Sequence, residues 1–272
     1  MSAVTASDAP RIGLRRLAHE VGPPLAGITG AVAVWAVIAA LTTTEGVPSP
    51  LETWNAFVAG MADGTIPEAT VKTLIRLVFS FALAVAFGTL LGVAFALNEF
   101  ARRSLRPLVV ALQIVPFVAW VPIAVIWFGA TERAVVFVTV VGSFPSVTLA
   151  TMAAMRQVPP ILKRAGRTLG ADGWSLYRDV ILPAALPGFM AGLQQAWGFA
   201  WKALMTAELI IAAAGAVGLG HLLAEEADDM PALVAVVAVI AVIGVLVDYL
   251  VFNRLDRRDR AADTEFRPWS SE

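Results

Sequence analysis

The stretch RAGRTLGADGWSLYRDVILPAALP, Arg164–Pro187, decides how the rest of the chain is read. It is charged, aromatic and punctuated by Gly and Pro, yet it lies between apolar runs long enough to cross a bilayer. Just before and within it, Ile161, Leu162, Ala165 and Leu169 share one helical face, with Lys163, Arg164 and Arg167 displaced from it. Gly170 suits a left-handed C-terminal cap, and Asp172 is placed to cap a following helix by accepting backbone N–H bonds. Trp174, Tyr177, Val180 and Ile181 make a second apolar stripe, which Pro183, lacking a backbone donor, is expected to stop. The pattern predicts a compact helix–turn–helix. Two readings stay open on these residues alone: an amphipathic hairpin resting on lipid headgroups, or a docking site for another protein.

The composition around it points to lipid. Of 272 residues, 58% are hydrophobic and only 15% charged, whereas a soluble domain is about half apolar and a quarter charged. There is no cysteine, which excludes disulfides, thiolate metal sites and cysteine nucleophiles. The 2 histidines, His19 and His221, stand far apart, so no metal site is expected. No Gly-rich phosphate loop is present, so the chain is expected to bind no nucleotide itself.

A spanning helix needs roughly 20 mostly apolar residues. The qualifying runs are Val21–Thr44, Leu77–Leu97, Pro107–Ala130, Ala134–Met155, Leu186–Ile211 (interrupted by Lys202 and Glu208) and the shorter Met230–Val247. The expected fold is therefore an all-α integral membrane protein with six transmembrane helices. The first run starts too late and is too long for a cleavable signal. Basic residues orient the spans. Most of the 20 Lys and Arg fall on one set of ends: Arg11, Arg15 and Arg16; Arg102, Arg103 and Arg106; Arg156, Lys163, Arg164, Arg167 and Arg178; Arg254, Arg257, Arg258, Arg260 and Arg267. The opposite loops are acidic, with Glu45, Glu52, Asp63, Glu68, Glu132, Glu225, Glu226, Asp228 and Asp229. Both termini and the opening stretch are thus expected in the cytoplasm. Residues 1–20 read as a cytoplasmic segment, 21–251 as the membrane domain and 252–272 as a cytoplasmic tail. Between the first two spans, at about 47–62, Leu51, Trp54, Phe57 and Val58 predict a short amphipathic helix on the outer surface.

The hairpin resembles the "EAA" coupling loop in the permease subunits of ATP-binding-cassette importers. That pattern runs Glu-Ala-Ala, three residues, Gly, then Leu-Pro about a dozen later. Here it falls on Arg164-Ala165-Gly166, Gly170 and Leu182-Pro183. VPFVAWVPIAVIWFG (Val115–Gly129), SFPSV (Ser143–Val147), AWKALMTAELI (Ala200–Ile210) and GLGHLL (Gly218–Leu223) are similar to the nitrate/sulfonate/taurine branch of that family. The resemblance runs from about Thr73 to Val251. Arg164 stands where the family has Glu, and Gly166 where it has Ala, a change that costs about 1 kcal/mol in a helix.

The resemblance implies a type I ABC importer permease in a bacterial inner membrane, with no catalytic residue of its own. Two copies would form the pathway, two cytoplasmic ATPases would bind ATP and Mg, and an extracytoplasmic binding protein would deliver a small anion such as a sulfonate, taurine or nitrate. No nucleic-acid partner is implied. The coupling loop, at about 156–187, would meet the ATPase through Arg164, Ala165, Gly166, Arg167, Leu169, Gly170, Ala171, Asp172 and Trp174, with Leu182 and Pro183 closing the motif. The charge at Arg164 predicts an ATPase groove with a complementary acid.

Ionisable groups inside a span are costly and usually face a partner or a cavity. Glu208 shares a stripe with Trp197, Trp201 and Met205; Lys202, about 120° around the helix from Glu208, shares a face with Gly198, Met205, Thr206 and Leu209. Lys202 reads either as an anion contact in a translocation path or as a residue packed against another span. Glu208 reads as a path residue, or as a group that holds helices or forms a gate. Trp120 and Trp127 are path-lining candidates or aromatic packing, with Trp127 an interfacial anchor on the second reading. Pro116 and Pro122 are each expected to bend the third span, and Gly88 and Gly92 to permit close helix approach. His19 reads as a headgroup contact and His221 as an outer-side residue of little weight.

Other classes fit less well. An aromatic carboxylate or another small organic solute is the alternative cargo. An ion-gradient-driven transporter would leave the hairpin unexplained and would often show repeated halves with broken helices, which are not evident. An intramembrane enzyme would need paired carboxylates, a Ser/His pair or a His cluster, and the spans hold none.

Overall fold

The computed structural model describes residues 9–42, 46–211, 217–247 and 249–250. It is all-helical over those residues. The chain divides into two compact units, Met1–Asp63 with Asp228–Ala235, and Gly64–Ala227 with Val236–Glu272.

The first unit holds α1 (Ala9–Leu41) and α2 (Pro50–Ala62). The Trp35 indole N–H donates to the Pro48 carbonyl at 3.0 Å and closes the connection between them. A capping box starts α2: the Glu52 backbone N–H reaches the Ser49 hydroxyl at 3.3 Å, and the Glu52 carboxylate accepts from the Ser49 N–H at 2.8 Å. Pro50 at the first helical position is preorganised for the turn. A helix therefore occupies most of the 47–62 stretch, with Leu51, Trp54 and Val58 exposed. The segments 1–8 and 252–272, expected in the cytoplasm, and the side chain of His19 lie outside the described residues.

The second unit is built from α3 (Thr65–Leu97), α4 (Glu99–Ile114), α5 (Phe117–Phe128), α6 (Glu132–Arg156), α7 (Pro160–Thr168), α8 (Trp174–Leu176), a π turn (Tyr177–Ile181), α9 (Leu182–Ile210) and α10 (Leu219–Glu225). α11 (Met230–Val247) gives its first residues to the first unit and the rest to the second. α6 packs along both α3 and α9. A single apolar cluster joins Leu77 of α3, Val121 and Ala124 of α5, Val135 and Val138 of α6, and Trp197, Ala200 and Leu204 of α9.

Among the described helices, α3, α6 and α11 are each long and apolar enough to cross a membrane. α9 has the length, at 29 residues, but Gln194, Gln195, Lys202 and Glu208 dilute its apolar character. The expected third span is not one rod. α4 and α5 meet at 99° across a break at Val115–Pro116, because Pro116 lacks the donor that would continue α4. Pro122 lies inside α5 without ending it, so only one of the two prolines breaks the chain's course. α3 begins well before the expected Leu77, and its 33 residues reach about 50 Å. The added turns carry Thr73 and Arg76 at one end.

Close approach depends on glycine. A Cβ on Gly88 would sit 2.7 Å from the Val147 Cβ and 2.9 Å from the Phe144 carbonyl oxygen; one on Gly92 would sit 2.6 Å from the Thr148 carbonyl oxygen. The small-residue pair therefore seats α3 on α6 as its spacing implied. The hydroxyls of Thr139, Ser143, Thr148 and Thr151 along α6 donate to carbonyls of their own helix at 2.7–2.9 Å, so buried polar groups there need no partner from α3. Because a backbone oxygen cannot turn aside, Gly92→Leu is expected to destabilise the protein by about 1–3 kcal/mol. Thermal unfolding in detergent reads this, with the exposed Leu90→Ala as the neutral control.

Candidate functional site

The hairpin formed by α7, α8 and the π turn is welded to the end of α6. Ala154, Met155 and Val158 pack with Leu176, Ile181 and Ala185 in one buried cluster. α7 ends in a Schellman motif: the Ala171 N–H donates to the Gly166 carbonyl at 2.9 Å and the Gly170 N–H to the Arg167 carbonyl at 3.0 Å. Gly170 has φ +86°, the left-handed conformation its sequence position required. Gly166 is the buried residue of α7. A Cβ there would lie 2.8 Å from the Val180 Cγ2 and 3.1 Å from the Leu176 Cδ1, so the glycine standing where the family has alanine lets the two arms meet closely.

Two local expectations are corrected. Asp172 does not cap with its side chain; the Ser175 hydroxyl accepts from the Asp172 N–H at 2.9 Å and donates to the Asp172 carbonyl at 2.8 Å. Pro183 does not stop the second arm. The π turn precedes it, the Leu182 N–H reaches back to the Tyr177 carbonyl, and Pro183 follows in α9 without interrupting the helix. Helical backbone therefore runs unbroken from Trp174 to Ile210.

The apolar face of α7 points away from the chain. Leu169 is 88% and Trp174 73% exposed, and Ile161 and Leu162 are also exposed. Arg164, Ala165, Arg167 and Asp172 are exposed beside them, with Ala171 half-buried. Leu182 and Pro183 are exposed at the start of α9. The hairpin thus presents an apolar tip ringed by charge, with its other side fixed to the base of the bundle.

At the other end of α9, Glu208 is 3% exposed and Arg76 7%. One Arg76 terminal nitrogen donates to Glu208, while its Nε and other terminal nitrogen hold Glu132 bidentately at 2.9 and 2.6 Å. The Thr73 hydroxyl donates to the Glu208 carboxylate, 2.9 Å from Oε2, and accepts from the Leu219 N–H at 2.8 Å. The Gly220 N–H donates to Glu208 Oε2 at 3.0 Å. A Cβ on Gly218 would lie 2.7 Å from that carboxylate, and one on Gly220 2.6 Å from the Glu208 Cβ, which accounts for both glycines of GLG. One carboxylate thus ties α3, α9 and α10 together and reaches α6 through Arg76. Beside it opens a groove of about 750 Å³ bordered by Lys72, Arg76, Glu132, Arg133, Phe79 and Phe137. His221, one turn into α10, lies 3.2 Å from Glu225.

The predicted path residues are not gathered around one cavity. Trp197 is buried edge-on to Phe81, ring centres 5.2 Å apart, and Trp120, Trp201 and Met205 pack on the same core. The stripe through Glu208 therefore points into the protomer. Trp127 is exposed and packs on Phe128 and Phe137. Lys202 is exposed on the other face of α9, near Gly198, Thr206 and exposed Leu209, and forms no ion pair among the described residues. Sequence reasoning missed Thr73 and Arg76 as partners of Glu208, and Glu132 as the second carboxylate on Arg76. The available signal was an arginine and a glutamate at the same expected depth of different spans.

Residues 84–260 match the family described as binding-protein-dependent transport system inner membrane component. The taurine transport system permease protein TauC of Escherichia coli is 33% identical over 156 residues, 57% of this chain and 57% of TauC, so the match spans little over half that relative's length. The putative aliphatic sulfonates transport permease protein SsuC of the same organism is 31% identical over 71% of this chain and 73% of its own. The bicarbonate transport system permease protein CmpB of Synechococcus elongatus is 29% identical over 74% and 75%. Among solved structures, a chain of the MetNI methionine ABC transporter in inward facing conformations superposes with TM-score 0.58 at 22% identity, over 72% of this chain and 95% of that one.

Proposed function

Because this chain belongs to the family of binding-protein-dependent transport system inner membrane components, a multi-pass transport component and not an enzyme, we propose that it is the permease subunit of an ATP-driven importer of a small anion. Its working form pairs two copies, two cytoplasmic ATPases that bind ATP and Mg, and an extracytoplasmic binding protein. The chain crosses the membrane six times, with α4–α5 as one bent crossing and both termini cytoplasmic; the one-sided distribution of arginine supports this orientation. Closure of the ATPases on ATP displaces the two hairpins, and the helical backbone from Trp174 into α9 carries that displacement into the bundle. Such a switch works only because ATP binds the two states with different affinity.

Lys202 is the observation that carries the anionic cargo. It is an exposed cation in a 29-residue helix, on a face that the described residues of its own protomer leave uncovered. With a second copy opposite, two such lysines line the path and attract a sulfonate-like anion. The named cargoes of the relatives agree in chemistry, since taurine and aliphatic sulfonates carry a sulfonate and bicarbonate is itself an anion. Uptake by the reconstituted transporter tests this. Lys202→Met is expected to lower anion uptake about tenfold, the loss of one charge-assisted contact, and Lys202→Arg to retain most of it. Unchanged apparent affinity and rate in Lys202→Met would remove Lys202 from the path. Uptake of aromatic carboxylates in preference to sulfonates would move the cargo to the second class.

A further inference from the structure

A second cationic feature lies on the side of the hairpin that faces the ends of α3 and α6, sharing Arg167 with the exposed rim. An open pocket of about 310 Å³ is bordered by the ends of α3 and α6, α7 and the π turn, and its polar wall carries Arg156, Lys163, Arg167 and Tyr177 beside Met155 and Leu176. Lys163 and Arg167 are four apart on α7, where like charges repel, and neither makes an ion pair among the described residues. Arg156 has one carboxylate nearby, Glu99 at 3.5 Å. That carboxylate is already occupied: Arg102 Nε reaches it at 2.9 Å and Arg103 Nε at 2.7 Å. Three cations therefore border a pocket whose walls hold no carboxylate, and among them Arg156 alone shares one, Glu99.

The pocket sits where α3 and α6, both long enough to span, come to their C-terminal ends. On the orientation proposed above, that is the depth of the cytoplasmic headgroups. Phosphate oxygens suit guanidinium and ammonium donors arranged around a concave wall, and basic pockets between membrane helices on this side take anionic headgroups. We propose that the pocket formed by Arg156, Lys163, Arg167 and Tyr177 binds a phosphate group, carried by an anionic lipid headgroup or free in the cytosol. Bound there, it pins α7 to the end of α6 and stiffens the hairpin against the bundle.

The test needs neither the ATPase nor transport, so its failure leaves the importer reading untouched. The purified full-length chain is taken through native mass spectrometry with phosphatidylglycerol or phosphatidylcholine. Separately, protection of Lys163 from acetylation is titrated with inorganic phosphate. Phosphatidylglycerol is expected to be retained in preference to phosphatidylcholine, with about tenfold weaker retention in Arg156→Gln/Lys163→Gln and recovery in Lys163→Arg. Protection by inorganic phosphate without selective lipid retention assigns the site to a soluble anion, provided Arg156→Gln abolishes it. Neither retention nor protection, or either one unchanged in the variants, overturns the proposal.

Discussion

Glu208→Ala is expected to cost about 3–5 kcal/mol of stability, the range for breaking a buried ion pair by removing one partner. The arithmetic follows from what the carboxylate holds. Arg76 keeps Glu132, but that carboxylate is largely exposed, so one end of a buried guanidinium loses its counter-charge. The Thr73 hydroxyl and the Gly220 N–H lose their acceptor in the same step. Glu208→Gln keeps an acceptor oxygen and the shape while losing the charge, and is expected to cost less. Thermal unfolding of single and paired variants decides whether the groups act as a unit. Arg76→Gln with Glu208→Gln should be clearly less damaging than the sum of the two single changes. Additivity to within about 0.5 kcal/mol would mean that the pair contributes nothing as a pair.

The second large effect is functional. Leu169→Asp combined with Trp174→Asp is expected to weaken capture of the partner ATPase by at least about 100-fold, while the permease itself keeps its melting behaviour. Each apolar side chain is worth about 1.5–3 kcal/mol when buried, and an introduced carboxylate adds a desolvation penalty at the contact. Both side chains are largely exposed in the protomer, so its own stability should move by no more than about 0.5 kcal/mol. Copurification with the ATPase and coupled ATP hydrolysis are the readouts. Full capture by the double variant would place the contact elsewhere. Arg164→Glu is a gentler companion: an exposed charge at a rim alters salt dependence more than affinity.

What was legible in the sequence was local. Gly170 announced its left-handed cap because only the adjacent turn determines it. Gly88 and Gly92 announced a close approach because their spacing puts both on one face. Glu208 can be read as a group that holds helices, but its partners Thr73 and Arg76 lie more than 130 residues away in the chain, and no periodicity encodes that meeting. The stripe through Trp197, Trp201, Met205 and Glu208 is one face, as its spacing predicts, and in the protomer that face packs into the core. A 3.6-residue period says which residues point together and nothing about whether they point to a core or a channel. Pro183 was misread for a related reason. Its effect depends on hydrogen-bond register, and a preceding turn with one residue too many changes which carbonyl is left over.

That extra residue has a further meaning. In an α-helix each residue turns the chain by about 100°, so the π turn at Tyr177–Ile181 works as an indexing step between the tip of the hairpin and the long helix behind it. Helical backbone on both sides of the step fixes the azimuth of Trp174 relative to the face that carries Lys202. Removing one residue from Tyr177–Ile181 would set that azimuth against the packing of Leu176, Ile181 and Ala185 on the end of α6, so the tip and the long helix could not both keep their present seats.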